Sequence, residues 1–235
     1  MTNSQPKTGV LTLLADKEGT NAIYVHGDTV GKTTTLSIDH VEIQLVDTSE
    51  TWTPNTIHAV ADDGAQAVVN IMDGSVINIA AEYNAAVSAG KNAVLNMSGG
   101  TINVTGGHCG SGICSYGKNN HSTINVTGGT FNITADASES TSGYNAGIEA
   151  AGTCSLTVTA AHFNVSAKGG TLGAAVMLGR DVDAEFGTGV TIDVYQSVWK
   201  GNWSITDHNT DIDITQEGFA HNAKLINNAT IIRHK

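Results

Sequence analysis

Two stretches decide the fold: Leu95–Thr105, LNMSGGTINVT, and Ile124–Thr134, INVTGGTFNIT. They align without a gap. In each, apolar and polar residues alternate, two small residues intervene, and the alternation resumes, which is the period-two signature of short strands joined by a turn. Leu95 and Met97 fall on one side and Asn96 on the other. Gly99-Gly100 supplies the corner, because glycine tolerates the positive φ of a tight turn. Ile102 and Val104 then resume, with Asn103 opposite.

Further copies lie on both sides: Asn70–Ala80 (NIMDGSVINIA), Leu156–Ser166 (LTVTAAHFNVS) and a degenerate Ala184–Val194 (AEFGTGVTIDV). A third short run precedes each copy, as Ala22–Gly27 (AIYVHG), Ala85–Gly90 (AAVSAG), Gly112–Gly117 (GICSYG), Gly147–Gly152 (GIEAAG) and Ala174–Gly179 (AAVMLG), with Thr56–Ala59 a looser member. Ile77, Ile102, Phe131, Phe163 and Ile192 are equivalent, at spacings of 25, 29, 32 and 29 residues. A second equivalent set is expected at Ile23, Ile57, Ala86, Ile113, Ile148 and Ala175.

A unit of three strands and three turns cannot bury its apolar side alone, whereas stacked units can. The expected fold is therefore all-β, a right-handed parallel β-helix with three strands per coil and about six to seven coils, rising about 4.8 Å per coil. The competing architecture is a β-sandwich, which does not predict near-identical repeats at this spacing. A propeller blade needs four strands and about 40 residues, more than the repeat holds. The expected organisation is a cap or lead-in strand over 1–20, the solenoid over 21–215, and a last partial coil or extension over 216–235. Outward positions should form rows: Asn96, Asn125, Thr157, Glu185 and Asp213 on one face, and Asn78, Asn103, Asn132, Asn164 and Asp193 on another.

Composition narrows the function classes. The chain has 235 residues, a formal net charge of −11 and only 14% charged residues. Its 11 basic residues make a poor nucleic-acid surface, since phosphate contacts need clustered Lys and Arg. No apolar run reaches the roughly 18 residues of a membrane helix, and Met1–Gly9 carries no apolar signal-peptide core.

Catalytic chemistry finds no anchor. Polysaccharide-cleaving sites need a close pair of carboxylates, yet the acidic residues are scattered, and Glu149 and Glu185 fall on different strand types. Phosphate-loop, nucleophile-elbow and H-E-x-x-H patterns are missing from the sequence. The expectation is a non-enzyme without cofactor. His108, Cys109, Cys114 and His121 are ligand-competent, but C-x4-C is looser than zinc-knuckle spacing. A local Cys109–Cys114 disulfide is the alternative in an oxidising compartment, leaving Cys154 over. Eight N-x-S/T sequons come mostly from the repeat itself and so say little about glycosylation. The long polar connectors, Gly106–Ser122 and Ala135–Tyr144, are better binding candidates, since loops on rigid scaffolds carry recognition. Tyr116, Tyr144, Trp52, Trp199 and Trp203 are the aromatic candidates there, able to stack on sugars or anchor a protein contact.

At GGTINVT and GGTFNIT, with G-I-x-A-x-G between repeats, the chain resembles bacterial autotransporter passenger regions and other secreted β-helical adhesins. The resemblance covers Ala22 to Ile214 in pattern and composition. It implies a fragment displayed on or released from a bacterial surface, acting in adhesion to host or matrix glycans or proteins, or in self-association. The chain departs from that pattern by lacking a C-terminal membrane barrel and by holding three cysteines. A carbohydrate-binding or carbohydrate-cleaving β-helix is the second expectation, and a purely structural solenoid segment the third.

Overall fold

A computed structural model describes residues 9–15, 21–47, 56–80, 85–106, 110–115, 121–136, 144–168, 172–179, 182–196, 204–205 and 224–234. Strand β1 (Val10–Ala15) leads into turns of three strands each. These are β2 (Ile23–Gly27), β3 (Thr33–Ile38) and β4 (Glu42–Asp47), then β5 (Ile57–Ala61), β6 (Gln66–Ile71) and β7 (Val76–Ala80). The next two are β8 (Ala85–Ala89), β9 (Ala93–Met97) and β10 (Thr101–Gly106), then β11 (Gly110–Ser115), β12 (Ser122–Val126) and β13 (Thr130–Asp136). After them come β14 (Tyr144–Ala150) with β15 (Cys154–Lys168), and β16 (Leu172–Leu178) with β17 (Val182–Gln196). The last described strands are β18 (Ser204–Ile205), β19 (Lys224–Asn227) and β20 (Thr230–Arg233).

Each strand pairs in parallel with its counterpart one turn away, so the fold is a parallel β-solenoid. The exception is β18, which pairs antiparallel with β16. The first face is the seven-stranded sheet running from β2 through β5, β8, β11, β14 and β16 to β18. The second face stacks β3, β6, β9 and β12, and the third stacks β1, β4, β7, β10 and β13. The second and third faces form one 13-stranded sheet, because β15 and β17 run through both.

Three faces per coil persist through β15 and β17, but there the second and third strands run on as one, so four turns are regular against the six to seven coils expected. In the four regular turns, the corner between second and third faces holds left-handed residues, His40 (φ 51°), Gly74 (73°), Gly100 (84°) and Gly129 (113°). At the equivalent place β15 has Thr159-Ala160-Ala161. Alanine disfavours positive φ, so the strand continues, and the ladder absorbs the bend as a register shift between Val158 and Ala160.

Inward rows fill the core. Ile43, Ile77, Ile102, Phe131, Phe163 and Ile192 stand in register and are buried. The rings of Phe131 and Phe163 stack at 4.7 Å, 8° from parallel. Each such side chain contributes about 1.5–3 kcal/mol by leaving water.

The first-face row needs correcting by one residue. Ile57 pairs with Val87, Val87 with Ile113, Ile113 with Ile148, and Ile148 with Val176, so Val87 and Val176 take the places expected for Ala86 and Ala175. Alternation breaks there in the later strands, where two successive residues, Ala86 and Val87 or Ala175 and Val176, both join the core. Gly112 and Gly147 hold the corresponding place in the turns that carry the two phenylalanines. A Cβ on Gly112 would meet Phe131 Cδ1 at 3.2 Å, and one on Gly147 would meet Phe163 Cδ1 at 2.9 Å. Small residues on the first face thus make room for large ones on the third.

Candidate functional site

Two amide ladders run along the outer faces. On the third face Asn103 Nδ2 donates to Asn78 Oδ1 at 2.7 Å, Asn132 to Asn103 at 2.7 Å, and Asn164 to Asn132 at 2.8 Å. Asn78 itself donates to Glu42 Oε1 at 3.0 Å, and Gln44 donates to the same oxygen at 2.8 Å. On the second face Asn125 donates to Asn96 at 3.0 Å, Asn96 to Asn70 at 2.9 Å, and Asn70 to Ser37 Oγ at 3.3 Å. Apart from the Gln44 bond, which lies within β4, every one of these bonds points toward the preceding turn. An amide has two donors and an acceptor oxygen with two lone pairs, so a laddered asparagine keeps hydrogen-bonding capacity for a ligand while its orientation is fixed. The expected rows therefore form, with one change: the residue stacked on Glu185 is Ile226, and Asp213 lies outside the described residues.

The third-face ladder ends in a carboxylate clamp. Asp193 stacks below Asn164 and takes His162 Nε2 on one oxygen at 2.7 Å and His234 Nε2 on the other at 2.5 Å. The Tyr195 ring lies on His234, centroids 4.3 Å apart. The histidine bonds, that of His234 foremost, hold the Asp193 carboxyl below its ordinary range. The clamp ties β20 to β15 and β17.

Where the first face turns into the second, successive turns place Gly31 (φ 73°), Gly64 (79°), Asn92 (54°), His121 (48°) and Gly152 (77°) in the left-handed region. A depression of about 410 Å³ opens along this corner, lined by Asp63, Gln66, Asn92, Val94, His121 and Thr123 among others. Lys91 Nζ lies 2.7 Å from Asp63, and that contact depresses the Asp63 carboxyl below its ordinary value. Asn92 Nδ2 reaches Asp62 O at 3.2 Å. Beside the depression, His26 Nε2 meets Asp62 at 3.3 Å, and the exposed Tyr24 ring lies 5.6 Å from that of His26 and 5.8 Å from that of His58.

Farther along the first face, the outward row Ser88, Cys114, Glu149 and Met177 is buried. Ser111 Oγ donates to Glu149 Oε2 at 2.7 Å. Cys114 is buried in this row with a free thiol; Cys109, the partner expected for a local disulfide, lies outside the described residues. Burial above all, and then the Glu149 charge, push the Cys114 thiol well above its ordinary value. Cys154 is also free and buried, bonded to Ser122 and Ser115, and desolvation raises it too.

Of the aromatic candidates, Tyr116, Trp52, Trp199 and Trp203 lie outside the described residues, as does His108. Tyr144 opens β14, where its backbone pairs with Leu172. Cys114 and His121 are parted, one buried in the first face and the other exposed at a corner. The corner depression and the Asp193 clamp were not anticipated from the sequence. The signal for the depression was present: aligning the corners of the repeat shows glycine at Gly31, Gly64 and Gly152 but side chains at Asn92 and His121.

These features define a parallel β-solenoid with laddered polar outer faces. Comparison with family models, with curated proteins and with solved structures returns no match.

Proposed function

We propose that this chain is a non-enzymatic β-helix of the cell surface or of secreted material, acting in adhesion in the manner of an autotransporter passenger. The observation that supports this reading is the row Asn78, Asn103, Asn132 and Asn164, bonded at 2.7–2.8 Å. A surface whose polar groups are already oriented loses little entropy when a ligand docks. It repeats once per turn, so it suits an extended partner with its own repeat, such as a matrix glycan or a fibrous protein. The net charge of −11 favours neutral or basic partners over nucleic acid.

Self-association is the second reading. It is favoured by Ile226 and Ile232, which are exposed on β19 and β20, strands whose partner among the described residues is β17. An open strand edge is a template for another chain.

The test offers the immobilised full chain a panel of matrix proteins and polysaccharides, with light scattering and a reducing-end assay in parallel. Retention of a panel member without new reducing ends supports adhesion. Concentration-dependent assembly without retention supports the second reading. Release of reducing ends overturns both.

A further inference from the structure

We infer that the corner depression and the aromatic shelf beside it form one binding site for neutral, polyhydroxylated sugar rings, spanning four turns of the solenoid. The inference rests on the adhesion reading and deepens it by naming a ligand class and a place. Three observations carry it.

The backbone is the first. Asn92 and His121 occupy left-handed corner positions (φ 54° and 48°) that Gly31, Gly64 and Gly152 occupy in other turns. A side chain at such a position is disfavoured by about 1–3 kcal/mol, though asparagine is among the residues that tolerate it best. Glycine would make the corner more easily; Asn92 uses its side chain to bond Asp62 O of the preceding turn at 3.2 Å, and His121 keeps a side chain where Gly31, Gly64 and Gly152 have none. Both line the depression.

The lining is the second. Asp63, Gln66, Asn92, His121 and Thr123 converge from consecutive turns around a space of about 410 Å³, with Val94 the apolar member. That volume lies in the range of small-molecule sites. A carboxylate, two amides, an imidazole and a hydroxyl are the groups that exchange hydrogen bonds with sugar hydroxyls. Asp63 stands at the rim, its carboxylate 2.7 Å from Lys91 Nζ, and is available as an acceptor.

The shelf is the third. Asp62 is the neighbour of Asp63 in the chain and meets His26 at 3.3 Å; His26 lies against Tyr24, and Tyr24 against His58. Tyr24 is 56% exposed, which leaves ring surface for the C–H face of a sugar. The formal charges here are Asp62 and Asp63 against Lys91, a net −1, so uronic or sulfated polymers are disfavoured and neutral ones admitted.

The experiment titrates the full chain with chitohexaose, maltohexaose and cellohexaose as neutral probes and with oligogalacturonate as the acidic one. The variants are His121→Gly with Gln66→Ala, and separately Tyr24→Ala. Because other turns carry glycine at the His121 position, the first variant should melt within a few degrees of the parent. The expected result is binding of at least one neutral probe, weakened about tenfold or more in both variants (about 1.4 kcal/mol), with oligogalacturonate ignored. Equal affinity in parent and variants, or preference for oligogalacturonate, overturns the site. Failure of all neutral probes overturns it as well. If matrix-protein retention persists in that case, the adhesion reading stands without this site; if retention is lost too, both fall.

Discussion

Asn132 lies inside the third-face ladder, donating to Asn103 at 2.7 Å and accepting from Asn164 at 2.8 Å. Replacing it with alanine removes both bonds, each with a net worth of about 0.5–1.5 kcal/mol. Asn132→Ala is therefore expected to destabilise the chain by about 1–3 kcal/mol, read as a lower midpoint in urea. Asp193 ends the same ladder and faces His162 from β15 and His234 beyond β20, the latter under Tyr195. Its folded carboxyl titrates below the ordinary value. Its stabilising contribution is thus complete above the ordinary carboxylate range near about 3.9 and is lost as pH falls through the depressed value. Thermal melts recorded down an acid series should show that loss in the parent. Asp193→Asn should start less stable and lack that part of the acid dependence; a parallel pair of curves would remove the clamp from the account.

Glycine within β11 and β14 sets how those two turns fill. A Cβ on Gly112 would lie 2.5 Å from Gly147 O and 3.1 Å from Ile102 Cγ2. Backbone cannot yield as a flexible side chain can, so Gly112→Ala should lose about 1–3 kcal/mol; chemical denaturation gives the number, and an unchanged midpoint would refute the packing argument. The same place in the first-face strands marks where the sequence stopped being legible. Strict alternation identified Leu95, Met97, Ile102 and Val104 as inward residues, and all four are buried. Alternation fails at Ala86-Val87, where two successive residues enter the core, so the first-face row slipped by one. The loss of the corner at Thr159-Ala160-Ala161 was written in the missing glycines, but the repeat masked it. Sites made by stacking are harder still to read. His162, Asp193 and His234 meet only because the register brings residues 31 and 41 positions apart to one carboxylate.

On the scale of the whole molecule, the solenoid turns a local repeat into long parallel rows of fixed polar groups. The third face carries Thr101, Thr130, His162, Thr191 and Thr230 in one row beside the asparagines. The function proposed for the chain depends on those rows acting as a surface rather than only as solvent-compatible strand residues. The most direct test compares the parent with Asn103→Leu plus Asn132→Leu for affinity toward whichever matrix protein or polysaccharide the parent retains, after confirming that both chains melt cooperatively with the same β-type circular dichroism. The account predicts that the variant dissociates more readily, with Kd raised about tenfold or more. An unchanged Kd in a folded variant would contradict it.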